Sequence, residues 1–168
     1  MALSMYEASV PVFARGLEQL AHVLSKGFEH AKSQGIEPGK LIEARLAPDM
    51  FNLAGQVQRA SDAAKACIAR LAGIETPSFA DEEQSFDQLI ERCARTRDFV
   101  QGVDGQLFKG SGEREIVLKV RDRELRFSGE TYLLHYAIPN FYFHVTTAYD
   151  VLRNQGVPVG KRDYLGKF

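Results

Sequence analysis

The run His135-Tyr136-Ala137-Ile138-Pro139-Asn140-Phe141-Tyr142-Phe143-His144-Val145-Thr146-Thr147-Ala148-Tyr149 combines a helical apolar period with an interior proline. Ala137, Phe141, Ala148 and Val151 fall on one face of a helix that the pattern carries from about 130 to 154, with Gly156 just past its end and Pro158 beyond. Pro139 lies well inside it. There a proline deletes one backbone hydrogen bond and collides with the preceding turn, at ~3 kcal/mol. The helix must therefore kink, or start anew, near that point, leaving the carbonyl of His135 as the orphaned acceptor. Such a proline fits a shaped pocket and fits equally a tolerated bend at a helix junction.

Upstream of this helix the period changes. Ile116-Val117-Leu118-Lys119-Val120 and Leu125-Arg126-Phe127 roughly alternate, with the polar run Arg121-Asp122-Arg123-Glu124 between them, which predicts a small β-hairpin over about 115–128. A lone hairpin is marginal in water, so its apolar side must pack on the rest of the chain. Further back, Phe86, Leu89, Ile90, Cys93, Val100 and Val103 mark a helix over about 82–103, opened by Asp81 with Gln84 three residues later. Met50, Leu53, Val57, Ala60, Ala64, Ile68 and Leu71 mark another over about 49–72, closed by Gly73. Val10, Phe13, Leu17, Leu20, Leu24, Phe28 and Ala31 mark the first, over about 6–33, ended by Gly35 and Pro38-Gly39. Residues 157–168 form a C-terminal tail. The reading is a mainly α, four-helix bundle with a β-hairpin between the third and fourth helices, one domain over 1–168.

Composition excludes several classes. With 168 residues, 45% hydrophobic and 26% charged, the chain is long enough to bury a core without staples. Formal net charge is −1 and no Lys/Arg cluster forms a basic face, so nucleic acid is not an expected partner. No apolar run approaches the ~18 residues that span a bilayer. Glu7, Arg15 and Glu18 interrupt any signal-peptide core, which points to a soluble, cytoplasmic protein. Two cysteines, Cys67 and Cys93, read as reduced core thiols rather than a disulfide framework. Gly156-Val157-Pro158-Val159-Gly160-Lys161 has three residues between its glycines and no Ser/Thr after the lysine, so it is not a phosphate loop. No G-x-S-x-G, H-E-x-x-H or C-x-x-C motif occurs.

Polar residues on apolar faces are what remains. Asn140 and His144 are four apart and share a face that the apolar pattern turns inward. Gln56 lies on or beside the stripe of the second helix. Each buried group without a partner costs ~1–3 kcal/mol, so the three either satisfy one another in the core or hold a ligand. Tyr136 and Thr147 lie near the same face as further polar contacts. His22 and His30 fall off the first helix's stripe and read as surface residues. His135 is about half a turn out of phase with His144, so an undistorted helix keeps them apart.

The segments Pro139 to Tyr149, Leu152-Arg153-Asn154-Gln155-Gly156-Val157-Pro158, Gly160-Lys161-Arg162-Asp163-Tyr164-Leu165 and Met5-Tyr6 to Lys26 resemble the DinB/YfiT-like superfamily, and within it a branch of unknown function. The resemblance covers essentially the whole chain and implies the same bundle. It also implies a divalent-metal site of three histidines, one on the second helix and an H-x-x-x-H pair on the fourth. His144 falls on the second histidine of that pair, Asn140 on the first, and Gln56 near the second-helix position. Two ligands would then be carboxamides, weak hard donors beside the imidazoles that suit zinc or nickel. His135, or Asp163 from the tail, could complete a ligand set if the kink or tail brought it near.

The residues and the resemblance leave three functions open, the enzymatic one resting on activities that the resemblance implies. The first is a metal-poor descendant of the fold with a small-molecule pocket between helices, lined by Gln56, Tyr136, Asn140, His144 and Thr147. The second is a zinc- or nickel-dependent thiol-linked transferase or hydrolase in which His144 is the metal ligand and Gln56 and Asn140 are weak ligands. The third is a structural or interaction protein in which these residues form a core network. The resemblance implies a homodimer, for which a two-fold arrangement is the common case.

Overall fold

The computed structural model describes residues 3–167; Met1, Ala2 and Phe168 lie outside them. Helix α1, Met5–Gln34, opens with a capping box: the Ser4 hydroxyl accepts from the Glu7 amide and the Glu7 carboxylate accepts from the Ser4 amide. It closes on Gly35, whose φ of 64° is the left-handed cap that glycine adopts without strain. A short helix α2, Pro38–Glu43, follows, capped by the Glu37 carboxylate.

The next two helices start later than periodicity suggests, and capping explains both. Helix α3 is Leu53–Ala72, not about 49–72, because the Asn52 side chain accepts from the Gly55 amide and fixes the first turn there. Helix α4 is Phe86–Gly102 rather than about 82–103, because Ser85, not Asp81, is the N-cap and accepts from the Gln88 amide. Asp81 and Glu83 are instead drawn to Arg92, at 3.0 and 2.9 Å. That guanidinium is 1% exposed and also meets Asp62 at 3.0 Å and the Ala80 carbonyl at 2.9 Å, which pins the α3–α4 loop onto both helices.

A 3-10 turn, Gly105–Phe108, leads to the hairpin, β1 Glu115–Val120 and β2 Arg123–Ser128, paired antiparallel from Glu115↔Ser128 to Val120↔Arg123. Arg123 and Glu124, expected in the turn, are paired strand residues; the turn is Arg121-Asp122 alone, with Arg121 at φ 54°. Ile116 and Leu118 are buried on the bundle, as a stable hairpin requires.

The last long helix is three consecutive pieces: α5 Gly129–Tyr132, a π-helical turn Leu133–Ala137, and α6 Ile138–Asn154. At the end of the π turn the Ile138 amide donates to the Leu133 carbonyl, five residues back. This wider turn ends immediately before Pro139, so the proline occupies the first turn of α6 rather than a regular helix interior. The helix neither breaks nor restarts; it takes in about one extra residue. The C-terminal segment, read as a tail, contains helix α7, Lys161–Leu165.

α1 packs chiefly on α4, and α3 on α6, around a core that includes Phe13, Leu17, Leu20, Val57, Ile68, Phe86, Leu89, Phe141 and Leu152. The α1–α6 seam is tight. Phe13 and Phe141 meet edge-to-face at 5.0 Å, and a Cβ on Gly16 would run into the Phe141 ring. Cys67 and Cys93 are buried free thiols in this core, and burial pushes the Cys93 thiol up to about 12. No helix is long and apolar enough to cross a membrane among the described residues.

Candidate functional site

A cleft of about 290 Å³ opens between α3 and the α5–α6 helix, lined by Arg59, Asp62, Ala63 and Arg70 on one side and Tyr132, Tyr136, Ala137, Asn140 and His144 on the other. On α3 the spacing explains the lining: Arg59 and Arg70 are eleven residues, about three turns, apart and so share a face. On the other wall the π turn does the work. Tyr132 and His144 are twelve residues apart, which in a regular α-helix leaves them about 120° out of phase. The extra residue of the π turn reduces that to about 20° and brings Tyr132 onto the face of Asn140 and His144. Phe127 of β2 backs this wall, 6.2 Å from the Tyr132 ring and 5.9 Å from that of Tyr136, and the two tyrosines stack at 5.8 Å.

At one end, the His144 Nδ1 lies 2.8 Å from the Gln56 Oε1. Gln56 is 1% exposed, and its Nε2 donates to the Phe51 carbonyl at 3.2 Å, which turns its oxygen toward the imidazole. A carboxamide oxygen only accepts, so Nδ1 carries the proton and, in the neutral ring, Nε2 carries the lone pair. Burial, and then the Arg59 charge, hold the imidazole below its ordinary range, so it is neutral at pH 7. At the other end Arg70 Nη1 donates to the Tyr132 hydroxyl at 2.8 Å. Burial pushes that phenol up to about 12, so it stays protonated.

The residues expected at the site are partly brought together. Tyr136, Asn140 and His144 line the cleft, and Gln56 stands behind His144. Asn140 and His144 are half-buried at the rim of the apolar stripe rather than turned into the core. Thr147 is buried one turn further on and donates to the Phe143 carbonyl at 2.7 Å, away from the lining. His135 is exposed. Asp163 lies on α7 against α1, paired with Lys26 at 2.9 Å and His22 at 3.1 Å, and is not in the cleft lining. Tyr132, Arg59, Asp62 and Arg70 were not singled out from sequence. For the α3 residues the spacing from Gln56 was the available signal; for Tyr132 the π turn hides it.

As a metal centre the donor set fits poorly. Among the described residues no group of three or more His, Cys, Asp or Glu side chains is placed to hold an ion. The cleft offers one imidazole and one free carboxamide, while the Gln56 oxygen is engaged by His144. The lone carboxylate, Asp62, is shared among Arg59, Lys65 and Arg92 at 3.1, 3.1 and 3.0 Å. The Arg70 guanidinium in the lining, which has no carboxylate partner among the described residues, opposes a divalent cation.

What the cleft has in excess is polar groups without protein partners. Among the described residues neither the Asn140 amide, the Tyr136 hydroxyl nor the His144 Nε2 makes a side-chain hydrogen bond within the chain. The cleft thus sets two aromatic rings beside one amide and one oriented imidazole.

This is a helical-bundle protein with a polar cleft between its second long helix and the π-turned fourth. Residues 5–165 match the family described as "Domain of unknown function (DUF1993)", and the chain belongs to it. Its fold is shared with a DinB family member protein from Shewanella denitrificans, known from its crystal structure, at 36% identity and a TM-score of 0.91, covering 98% of this chain and 93% of that one. The DinB-like resemblance and the mainly helical fold are thus shown. No curated protein matches the sequence.

Proposed function

We propose that this DUF1993 protein binds a small organic molecule in the α3–α6 cleft, with His144 as an oriented, neutral hydrogen-bonding group rather than a zinc or nickel ligand. The observation that carries the reading is the 2.8 Å contact of His144 Nδ1 with Gln56 Oε1. That contact fixes the tautomer in which Nε2 accepts a proton or hydrogen bond; the same lone pair is the one a metal would use, so the case against zinc or nickel rests on the sparse donor set around it. Asn140 and Tyr136 offer a donor–acceptor amide and a hydroxyl beside it. If the ligand is a substrate, the neutral Nε2 is the group able to take a proton from it.

The test is a fragment screen on protein stripped of metal, read by melting temperature. A ligand bound only by the native state raises the melting temperature as its concentration passes its dissociation constant. Fragments should stabilise the wild type and lose that effect in His144→Ala and Asn140→Leu. Hits that stabilise all three proteins alike bind elsewhere and would sink the reading.

A further inference from the structure

Resting on that reading of the cleft, we infer that its ligand is an organic anion, a ring-bearing carboxylate whose charged group is held at the Arg70–Tyr132 end.

Charge is the first ground. Of the two guanidinium groups in the lining, Arg59 is neutralised by Asp62 at 3.1 Å and by Asp81. Arg70 has no carboxylate partner among the described residues; its one side-chain bond goes to the Tyr132 hydroxyl at 2.8 Å. An arginine has five N–H donors in a fixed fork and cannot give up its charge, so most of the donors of Arg70, an exposed residue in the cleft lining, have no hydrogen-bond partner among the described residues.

The second ground is the donor-only character of that end. The Tyr132 oxygen accepts from Arg70, and its own proton meets no acceptor among the described residues, although the residue is 2% exposed. At the C-terminal end of α3, Arg114 donates to the carbonyls of Arg70 and Leu71. Arg114 thereby also offsets the negative end of the α3 dipole. A guanidinium fork beside a protonated phenol matches the two oxygens of a carboxylate, and neither supplies an acceptor to a neutral hydroxyl or amine.

Shape adds the third. The Tyr136 ring, stacked on Tyr132 and backed by Phe127, forms the apolar wall between Arg70 and Asn140. A ring laid against that wall with its carboxylate at Arg70 would leave a polar substituent to meet Asn140 and the His144 Nε2. The cleft volume of about 290 Å³ suits a ligand of one ring with its substituents.

The experiment compares 4-hydroxybenzoate with its neutral isostere 4-hydroxybenzamide, titrated into metal-free protein and read by the NMR signals of the His144 ring and by melting temperature. The acid should bind at least about tenfold more tightly than the amide, a difference of about 1.4 kcal/mol. Arg70→Gln should abolish that preference and Arg70→Lys should retain part of it, a point charge without the fork. Tyr132→Phe should weaken the acid selectively while leaving the fold intact. If acid and amide perturb His144 equally, and Arg70→Gln changes neither, the cleft binds small molecules but the anion assignment is wrong. If neither compound perturbs His144 while other fragments do, this assignment again fails and the cleft reading stands. If no compound of any charge perturbs His144, both fail.

Discussion

His144 on α6 and Gln56 on α3 are joined by a 2.8 Å bond from the imidazole Nδ1–H to the carboxamide oxygen, and Gln56 is itself anchored on the Phe51 carbonyl at 3.2 Å. Gln56→Leu keeps the volume of this buried residue but removes the acceptor. It should cost about 1–2 kcal/mol of stability and release the ring to both neutral tautomers. Denaturant unfolding gives the first quantity and imidazole nitrogen NMR the second. A single Nδ1–H tautomer surviving in the variant would show that something else orients the ring.

The same ring gives a pH dependence whose sign is fixed. Burial lowers the folded-state pKa of His144 below 6.5, so the unfolded chain binds its proton more readily. The stability tied to the neutral ring is present above that value and is lost as pH falls through it. Unfolding free energies measured between pH 7.5 and about 5 should fall more steeply for wild type than for His144→Leu. Parallel curves would contradict the folded-state assignment.

Arg92 is the largest fully buried side chain, and it ties Asp62, Asp81, Glu83 and the Ala80 carbonyl together. Burial raises the Glu83 carboxyl, but hydrogen bonds from Arg92 and Gln58 outweigh it and hold the group below its ordinary value. Arg92→Met removes the shared partner of three carboxylates. It should cost about 3 kcal/mol, the lower end for a buried ion network, because water still reaches Asp62 and Asp81. In the wild type the Glu83 contribution is present above about pH 4.5 and is lost on acidification. A chemical melt of the variant at neutral pH checks the first claim.

Gly129 sits where α5 begins against the loop before the hairpin, and a Cβ there would run into the Ser111 carbonyl. Gly129→Ala should destabilise by about 3 kcal/mol, since the obstruction is backbone rather than a movable side chain. A melting temperature unchanged by this substitution would mean that the Ser111–Gly129 crossing is looser than described.

Asp163 holds α7 on α1 through Lys26 and His22, and Lys26 above all keeps its carboxyl down at about 2. Asp163→Asn should reduce overall stability by less than about 1 kcal/mol, as for exposed pairs, while speeding hydrogen exchange in 161–165. The small stabilisation that Asp163 gives is present above about pH 3.8 and fades as pH falls toward 2.

Much of the fold was legible because its helices obey one period. The stripes ending at Gly35 and Gly73, and the switch to alternation at Ile116, need only local pattern to be read. The N-termini of α3 and α4 were not, since Asn52 and Ser85 compete with plausible earlier starts and only tertiary contacts remove Asp81 and Glu83. The site was half legible. Gln56, Asn140, His144 and Tyr136 carry polar groups on apolar faces, which a single α-helical period displays. Tyr132 joins them only because the π turn adds a residue before Pro139, and no α-helical period can show that. Arg70 is a common surface residue type whose significance lies in having no acid beside it, a property of three dimensions alone.

The most direct measurement is elemental analysis of the purified, untagged protein beside His144→Ala, with both shown to be folded. A cleft that binds an organic ligand through an oriented, neutral His144 predicts no stoichiometric metal in either protein. About one zinc or nickel ion per chain in the wild type, lost in the variant, would contradict it and make His144 a metal ligand.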